Sequence, residues 1–471
     1  MKRIDKSIAV AFFRPADYIK VYKKIKGKNI MSFNKDFVWG VATAAYQIEG
    51  AYNEDGRGLS VWDGEFAQDK TYEKQTGNIA CDHYHRYKED VALMKSLGVK
   101  NYRFSVSWPR VMPDGRTLNP LGVKFYQNLV KELKSAGIEP WVTIYHWDLP
   151  IKLFEQGGFM NDKISDYFTD YAEEVVKFLG EDVKNYIIFN EPQVVVEDGH
   201  HTGAHAPFLK LSRKDSFKVA HNVLLCIGKA EKAMRKAAGH KLNIGISPCY
   251  TPMMPINDEA AALKYNFTPN GEFYDGCFFT DAVIKGEFDP SYADWFKEND
   301  YNPSAEDMKV IKSDLDFFGV NMYRGFYVEK TQDGIKRKNS NGDLGITAMD
   351  WRVTPDACEY LVKYYYERYR LPVLITENGV ALNEWKTLNG DIPDDMRIDY
   401  MHRYLSSLKK AAEKYPVMGY FYWTFMDNFE WALGYSKRFG LVYVDYDTLE
   451  RTPKKSAYWY KNVMETNGED L

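Results

Sequence analysis

Eight short runs of β-branched and aromatic residues, each ending in polar residues, recur along most of this chain. They are FVWGVATAAYQIE (37–49), VKNYRFSVSWPR (99–110), EPWVTIYHWD (139–148), VKNYIIFNEP (183–192), KLNIGISPC (241–249), LDFFGVNMY (315–323), PVLITENG (372–379) and MGYFYWTFMDN (418–428). Runs of this length and composition are typical of buried strands. The polar residues mark the point where each strand leaves the core.

Helical patterns lie between these strands. Apolar residues recur with helical spacing in five segments: 82–98, 126–137, 166–180, 222–239 and 355–369. A strand followed by a helix, repeated, predicts a parallel sheet with helical crossovers, and eight repeats predict an α/β fold of the closed (β/α)8 TIM barrel type. The competing open, doubly wound sheet is disfavoured because no GxGxxG follows the first strand.

The chain has 471 residues, which is more than the ~250 of a minimal barrel, so long insertions are expected after some strands. They are predicted at 50–80, 192–215, 250–300 and 324–350, on the face where barrels place their active sites. No low-complexity linker or repeat divides the chain. We therefore expect residues 32–471 to form a single domain.

The N-terminal segment differs from the rest, with nine Lys/Arg and two Asp in its first 29 residues. The apolar stretch SIAVAFF is short for a signal sequence, and no small-residue cleavage site follows it. Met31 begins MSFNKDFVWG, which resembles a natural start. We expect residues 1–31 to be a dispensable basic extension.

Overall composition excludes several classes of protein. The net charge of −4 gives no argument for nucleic acid or an anionic membrane as a partner. The five cysteines are widely spaced and lack a CxxC pair, which argues against disulfides and a zinc site and predicts reduced thiols in the cytoplasm. No apolar run reaches the ~18 residues of a membrane helix.

Polar residues at the ends of barrel strands converge on one mouth. These positions hold Gln47, Glu49, Arg103, His146, Trp147, Asn190, Glu191, Asn321, Tyr323, Glu377 and Trp423. The chain lacks HExxH, GxSxG and P-loop motifs. The remaining histidine groups, His83 with His85 and the loop residues His200, His201 and His205, are predicted to be surface residues and not metal ligands. No metal or organic cofactor is expected.

Two carboxylates that face each other across a pocket are what cleavage of a glycosidic bond requires. One holds a proton for the leaving oxygen, and the other meets the positive anomeric carbon. An arginine and a tyrosine nearby would keep the second ionised. Indole rings suit the apolar face of a sugar, and amides and histidine suit its hydroxyls. Each residue alone is more often structural, but the set at one mouth favours a site.

The chain resembles glycoside hydrolase family 1, the retaining β-glucosidases and their relatives, over roughly residues 33 to 465. The resemblance rests on motifs that match in order: FVWGVATAAYQIEGA, YRFSVSWPR, YHWDLP, FNEP, VLITENGV, YFYWTFMDNFEW and KRFGL. Such a set of long motifs is specific, whereas NEP or ENG alone is weak.

The resemblance implies a role for each site residue. Glu191 is implied as acid/base and Glu377 as nucleophile, an assignment that spacing alone does not make. Arg103, Tyr323 and Asn321 are implied to support the nucleophile. The implied sugar contacts are Asn190 on the 2-hydroxyl, Trp423 beneath the ring, and Gln47, His146, Trp147, Glu430, Trp431 and Phe439 around it. A retaining mechanism also implies carboxyl groups about 5 to 5.5 Å apart.

Three departures from the family pattern concern the leaving-group side. Gln193 stands where an aromatic residue usually follows NEP, His200 and Phe208 replace an expected Tyr and Gly, and segment 352–358 departs from the usual Gly-Leu ending. The aglycone is therefore the open part of the prediction.

The expected activity is hydrolysis of small β-glucosides or oligosaccharides, with β-galactosides and β-fucosides as further substrates. A 6-phospho-β-glucosidase is a competing function of the same class. Those relatives carry Ser, Lys and Tyr where this chain has Glu430, Lys437 and Phe439, so a charged Glu430 would repel a phosphate and Lys437 is expected at the surface. The same barrel could also serve a non-catalytic sugar-binding protein or a glycosyl-transferring enzyme. The oligomeric state is left open.

Overall fold

Eight parallel strands close into a barrel in the computed structural model, which describes residues 32–338 and 344–471. The barrel strands are Val38–Ala42, Asn101–Ser105, Glu139–Tyr145, Asn185–Asn190, Asn243–Ser247, Phe317–Asn321, Val373–Asn378 and Val417–Trp423. Each strand pairs with its neighbours in the chain, and the last pairs with the first. The predicted (β/α)8 barrel is confirmed, with one barrel strand in each of the eight predicted runs, and the last strand begins one residue before its run, at Val417.

The predicted helices surround this barrel. The helices of eight residues or more are His83–Ser96, Pro120–Ala136, Ile164–Leu179, Arg213–Ala237, Glu259–Phe267, Phe278–Lys285, Ala357–Tyr369, Asp395–Ala412 and Lys455–Glu465. Shorter helical turns are Ala45–Ile48, Glu65–Gln68, Tyr72–Lys74, Trp108–Val111, Ile151–Phe154, Gly158–Met160, Gly180–Asp182, Pro192–Val196, Glu197–Thr202, Pro290–Tyr292, Ala293–Glu298, Ala305–Ile311 and Trp431–Leu433.

Local sequence explains where the long helices begin and end. Pro120 occupies the first turn of its helix after Asn119, whose side chain accepts from the Leu121 amide. Gly137 ends that helix in the left-handed conformation, φ 76°. Helix Arg213–Ala237 begins nine residues before the predicted segment 222–239 because the Ser212 side chain caps the amide of Asp215.

Large aromatic rings fill the barrel interior. The ring of Trp141 packs edge-on against Phe317 and Phe421, with centroid separations of 5.8 and 5.4 Å. Gly40 and Gly245 make room for these rings, because a Cβ at either position would collide with Phe421 or Phe317. The barrel is thus a packed core, and the open space lies beyond the carboxyl ends of its strands.

Two small sheets lie outside the barrel. Strands Met253–Pro255, Phe326–Thr331 and Gly334–Lys338 form one, and Val442–Val444 pairs with Arg451–Pro453 in the other. The first sheet is built from two of the predicted insertions, which extend the carboxyl-terminal face. No helix in the described residues is both long and apolar enough to traverse a bilayer. The predicted extension at 1–31 lies outside the described residues.

Candidate active site

A cavity of about 410 Å³ opens at the carboxyl ends of the barrel strands. The predicted site residues that line it are His146, Trp147, Asn190, Glu191, Tyr323, Glu377, Trp423, Glu430, Trp431 and Phe439. The other three, Gln47, Arg103 and Asn321, are buried behind this wall and contact its residues. Residues from distant parts of the chain therefore meet as the strand-end argument predicts.

Glu377 ends the seventh barrel strand and is held at both carboxylate oxygens. Arg103 donates from Nη1 to Oε1 at 2.5 Å, and Tyr323 donates its hydroxyl to Oε2 at 2.6 Å. Burial raises the pKa of Glu377, and the charge of Arg103 and the hydrogen bond from Tyr323 act against that rise. Burial and the charge of Glu377 raise the pKa of Tyr323 well above its usual value, so its phenol stays a donor.

Glu191 follows the fourth barrel strand with a left-handed backbone, φ 45°. Its carboxylate receives a hydrogen bond from Asn321, 2.7 Å from Nδ2 to Oε1. Burial, followed by the negative charge of Glu377, raises the pKa of Glu191 to about 8. The two carboxyl groups in this cavity thus have unequal surroundings. Glu377 accepts hydrogen bonds from a guanidinium and a hydroxyl, whereas Glu191 accepts one from an amide.

Amide groups connect these two carboxyls. Asn190 Oδ1 accepts from Arg103 Nη2 at 2.6 Å and from Asn321 Nδ2 at 3.0 Å. The orientation of the Asn321 amide is set from behind, because its Oδ1 accepts from the hydroxyls of Ser247 at 2.6 Å and Thr376 at 2.8 Å. The nitrogen of Asn321 must therefore face the cavity side.

His146 is a neutral hydrogen-bonding group at the base of the cavity. Burial, assisted by the charge of Arg103, lowers the pKa of His146 well below its usual value. The Asn190 side-chain nitrogen lies 3.1 Å from its Nε2, which assigns the proton to Nδ1. Nδ1 is buried and has no hydrogen-bond partner among the described residues. This donor is free for a ligand.

Indole rings surround His146 at the inner end of the cavity. The rings of Trp423 and Trp431 lie 5.8 Å from that of His146, and Trp147 donates from Nε1 to the carbonyl of Asn190 at 3.2 Å. The peptide bond between Trp423 and Thr424 is cis. Flat apolar faces and polar groups therefore alternate around the inner end, as a sugar ring requires.

Glu430 has an amide neighbour and no cation. Gln47 donates from Nε2 to Glu430 Oε2 at 3.4 Å and to the carbonyl of Phe429 at 2.9 Å. Burial, followed by the charge of Glu377, raises the pKa of Glu430 to about 8. Near neutral pH this carboxyl therefore carries less negative charge than the sequence argument against a phosphate assumed.

The positions predicted for Glu49 and Lys437 were wrong. Glu49 does not reach the cavity, because it pairs with Arg110 at 2.7 Å and accepts from the Tyr126 hydroxyl at 2.5 Å. Lys437 is half-buried and donates to the carbonyl of Ala348 at 2.7 Å, so it is not a free surface cation.

The histidine prediction was wrong for two residues. His83 is 1% exposed, and its Nδ1 is hydrogen-bonded to Asp90. His200 is 2% exposed, and its Nδ1 is hydrogen-bonded to the carbonyl oxygen of Val195. His85 is exposed as predicted, while His201 and His205 are half-buried.

The described residues contain no group of three or more potential metal ligands. All five cysteines are free thiols, and Cys249 is the half-buried one.

Sequence reasoning missed the outer half of the cavity wall. The contributing residues are Asp198, Cys249, Thr251, Asn266, Glu272, Tyr274, Asp275, Arg324, Phe326, Arg337 and Trp351. All but Cys249 and Trp351 come from the second, third and fourth predicted insertions, and these two adjoin an insertion by one residue. The position of those insertions after strands was the available signal, but strand-end counting cannot identify residues far along a loop.

A parallel barrel with two buried carboxyl groups facing one sugar-sized cavity defines a glycoside hydrolase. The chain belongs to glycosyl hydrolase family 1, whose family model matches residues 29–469. Beta-glucosidase A of Acetivibrio thermocellus is 41% identical over 93% of this chain and 99% of that protein. The aryl-phospho-beta-D-glucosidase BglC of Bacillus subtilis is 38% identical over 93% of this chain and 98% of that protein.

A solved structure shows the same fold. The beta-glucosidase of Thermotoga maritima in complex with deoxynojirimycin superposes with a TM-score of 0.85 at 39% identity, over 93% of this chain and 99% of that one. The resemblance found in the sequence motifs is therefore confirmed at the level of family and fold.

Proposed function

We propose that this protein hydrolyses terminal β-glucosyl residues with retention of configuration, with Glu377 as nucleophile and Glu191 as acid/base. The observation that carries the proposal is that the two carboxyl groups have different hydrogen-bond donors and charges around them. Arg103 and Tyr323 bond Glu377 directly and favour its ionised form, whereas Glu191 has a pKa of about 8 and forms no ion pair with a described residue. The proton that the pair shares at neutral pH therefore resides on Glu191.

In the first step the Glu377 carboxylate attacks carbon 1 of the sugar as the bond from carbon 1 to the leaving oxygen breaks. Glu191 transfers its proton to that oxygen, and the aglycone leaves as a neutral alcohol or phenol. A glycosyl ester on Glu377 remains. The negative charge has moved from Glu377 to Glu191, so the acid becomes a base.

In the second step Glu191 removes a proton from water, and the water oxygen attacks carbon 1. The ester bond breaks and Glu377 leaves as a carboxylate, again stabilised by Arg103 and Tyr323. Two inversions at carbon 1 give net retention. The free Nδ1–H of His146, the Glu430 carboxyl and the indole of Trp423 are proposed to bind the sugar in both steps.

The relatives named beta-glucosidase support a glucoside as the substrate. The test is release of 4-nitrophenol from the β-glucoside by wild type, Glu377→Gln and Glu191→Gln, with the anomer of the first product read by NMR. We expect β-glucose from wild type and a loss of at least about 10³-fold in Glu377→Gln. Initial formation of α-glucose would contradict retention.

A 6-phospho-β-glucosidase is the second candidate, because BglC of Bacillus subtilis shares 38% identity. Its phosphate would have to lie beside Glu430, and the cations that line the described cavity, Arg324 and Arg337, belong to its outer half. Parallel assays with 4-nitrophenyl β-glucoside 6-phosphate separate the two functions. Turnover of the phosphate alone would reject the glucosidase assignment.

The extent of the catalytic domain and the cellular location are still predictions. We propose that residues 32–471 act as one catalytic domain and that residues 1–31 are dispensable for activity. Five free thiols without a disulfide support a cytoplasmic location. A variant that begins at Met31 and retains full activity would support the first proposal.

A further inference from the structure

Two arginines line the outer half of the cavity, beyond the carboxyl pair. Arg324 directly follows Tyr323, and Arg337 lies on strand Gly334–Lys338 of the small outer sheet. Both guanidinium groups face the ring of Phe326, with Cζ at 5.2 Å for Arg324 and 4.6 Å for Arg337. The pair therefore forms one positively charged patch on the wall of the cavity.

Neither guanidinium is neutralised within the described residues. Each forms ring contacts, Arg324 also with Trp351 at 5.3 Å, but neither forms an ion pair or a hydrogen bond with a described residue. Burial, together with the nearby charge of Arg337, lowers the pKa of Arg324. Arg324 is half-buried and Arg337 is exposed, so water screens part of their mutual repulsion, and an anion bound between them would relieve the rest.

Three acids line the same cavity as this patch: Asp198, Glu272 and Asp275. Asp198 accepts the Tyr274 hydroxyl at 2.5 Å. Burial, followed by the charge of Glu272, raises the pKa of Asp275 to about 6 against the opposing charge of Arg337. None of the three carboxylates makes an ion pair with either arginine, so the patch keeps donors available for a ligand.

The position of the patch identifies the part of the substrate it would meet. This step rests on the proposed function, in which the sugar fills the inner end beside His146, Trp423 and Glu430. Glu191 then protonates the leaving oxygen, and the leaving group must extend into the outer half. Arg324 and Arg337 line the same cavity as Glu191, and Arg324 directly follows Tyr323, whose hydroxyl donates to Glu377, so a leaving group that extends from the scissile bond shares its space with the patch.

We propose that this protein is adapted to β-glucosides whose aglycone carries an oxyanion such as a carboxylate. The planar guanidinium groups of Arg324 and Arg337 offer paired donors that match a carboxylate. The Phe326 and Trp351 rings between and beside them would hold an aromatic or apolar body next to that charge.

The test measures binding and needs no turnover. Titration calorimetry compares 4-carboxyphenyl 1-thio-β-glucoside with its 4-carbamoylphenyl analogue, which has the same shape without the charge. We expect wild type to prefer the carboxylate by about 10-fold, which corresponds to ~1.4 kcal/mol. The preference should fall in Arg324→Gln and Arg337→Gln and vanish in the double variant. It should also weaken with added salt.

Arg116→Gln is the matched control, because Arg116 is exposed, stacks on Tyr167 at 4.4 Å and does not line the cavity. It removes the same charge and should keep the full preference. Equal binding of the two thioglucosides by wild type, or a preference that survives in the double variant, would overturn the proposal. Failure of the proposed function would appear separately, as binding of thioglucosides without hydrolysis of 4-nitrophenyl β-glucoside.

Discussion

Asn321 and Glu191 are joined by a hydrogen bond of 2.7 Å from the amide Nδ2 to the carboxyl Oε1. The same nitrogen reaches Asn190, and Ser247 and Thr376 prevent the amide from turning over. The acid/base candidate is thus positioned by a neutral group that can serve both of its protonation states, because a carboxylate and a carboxylic acid both present an acceptor oxygen.

The pH dependence of hydrolysis should report the two carboxyls separately. Activity needs protonated Glu191, so kcat/KM should fall as pH rises through its pKa of about 8. Activity also needs ionised Glu377, so kcat/KM should fall again as pH drops through the raised pKa of that group. In Glu377→Gln the neighbouring charge is lost, and the pKa of Glu191 should decrease. Carbon-13 NMR of labelled glutamate measures it directly, and an unchanged Glu191 titration would contradict the coupling.

Removal of the Tyr323 hydroxyl should weaken Glu377 as a nucleophile and shift its titration. Tyr323→Phe loses the 2.6 Å donor, so the pKa of Glu377 should rise and the acid limb of kcat/KM should move to higher pH. We expect kcat to fall by about 10- to 100-fold. Tyr435→Phe is the control, because its hydroxyl donates to the Thr76 carbonyl at 2.8 Å outside the cavity. An acid limb that stays in place would separate Tyr323 from the ionisation of Glu377.

The inner half of this site was predictable from the sequence, and the outer half was not. Residues such as Glu377 and Asn190 lie at the ends of barrel strands. The carboxyl ends of parallel barrel strands lie together at one face, independent of the conformation of the loops. Arg324 and Arg337 meet because strands Phe326–Thr331 and Gly334–Lys338 of the fourth predicted insertion pair as an antiparallel hairpin. Glu49 shows the opposite failure. It lies near a strand end, but its carboxylate is buried in the core. There it pairs with Arg110 and accepts a hydrogen bond from Tyr126, two residues that are distant in sequence.

Gln193 replaces the aromatic residue expected after NEP, and the structure gives it a positioning role. Its amide bonds the backbone of Cys249 in both directions, at 3.2 Å to the carbonyl and 3.3 Å from the amide. Gln193→Ala should release that part of the outer wall. We expect KM for aryl β-glucosides to rise by roughly 5- to 10-fold with little change in kcat, since each lost bond costs about 1 kcal/mol.

Gln127→Ala is the comparison for Gln193, because Gln127 also bonds one carbonyl, that of Phe178 at 2.9 Å, but at an exposed site. Its kinetic constants should match wild type. A Gln193→Ala variant that loses kcat at constant KM would instead place Gln193 in the chemical step.

A buried cluster of charges beneath the mouth should contribute strongly to stability. Glu384 pairs with Arg397 at 2.7 Å and with Lys454, and all three side chains are at most 2% exposed. Glu384→Gln removes one buried negative charge, although Arg397 keeps Asp394 and Lys454 keeps Asp427 as partners, so the free energy of unfolding should fall by about 3 kcal/mol. Glu450→Gln, which breaks the exposed pair with Lys386 at 3.4 Å, should cost less than about 1 kcal/mol. Urea unfolding measures both, and equal losses would contradict the argument.

The pairing of the first and last barrel strands sets the order in which this protein can become active during its own synthesis. Val38 aligns with Gly419 and Ala42 with Trp423. One edge of the first barrel strand therefore stays unpaired until the last barrel strand has been synthesised. Trp423, Glu430, Trp431 and Phe439 are the last of the predicted site residues to be synthesised. A nascent chain therefore carries Glu191 and Glu377 for some time before the barrel closes, and a product that stops short of residue 417 presents open sheet edges and no sugar site.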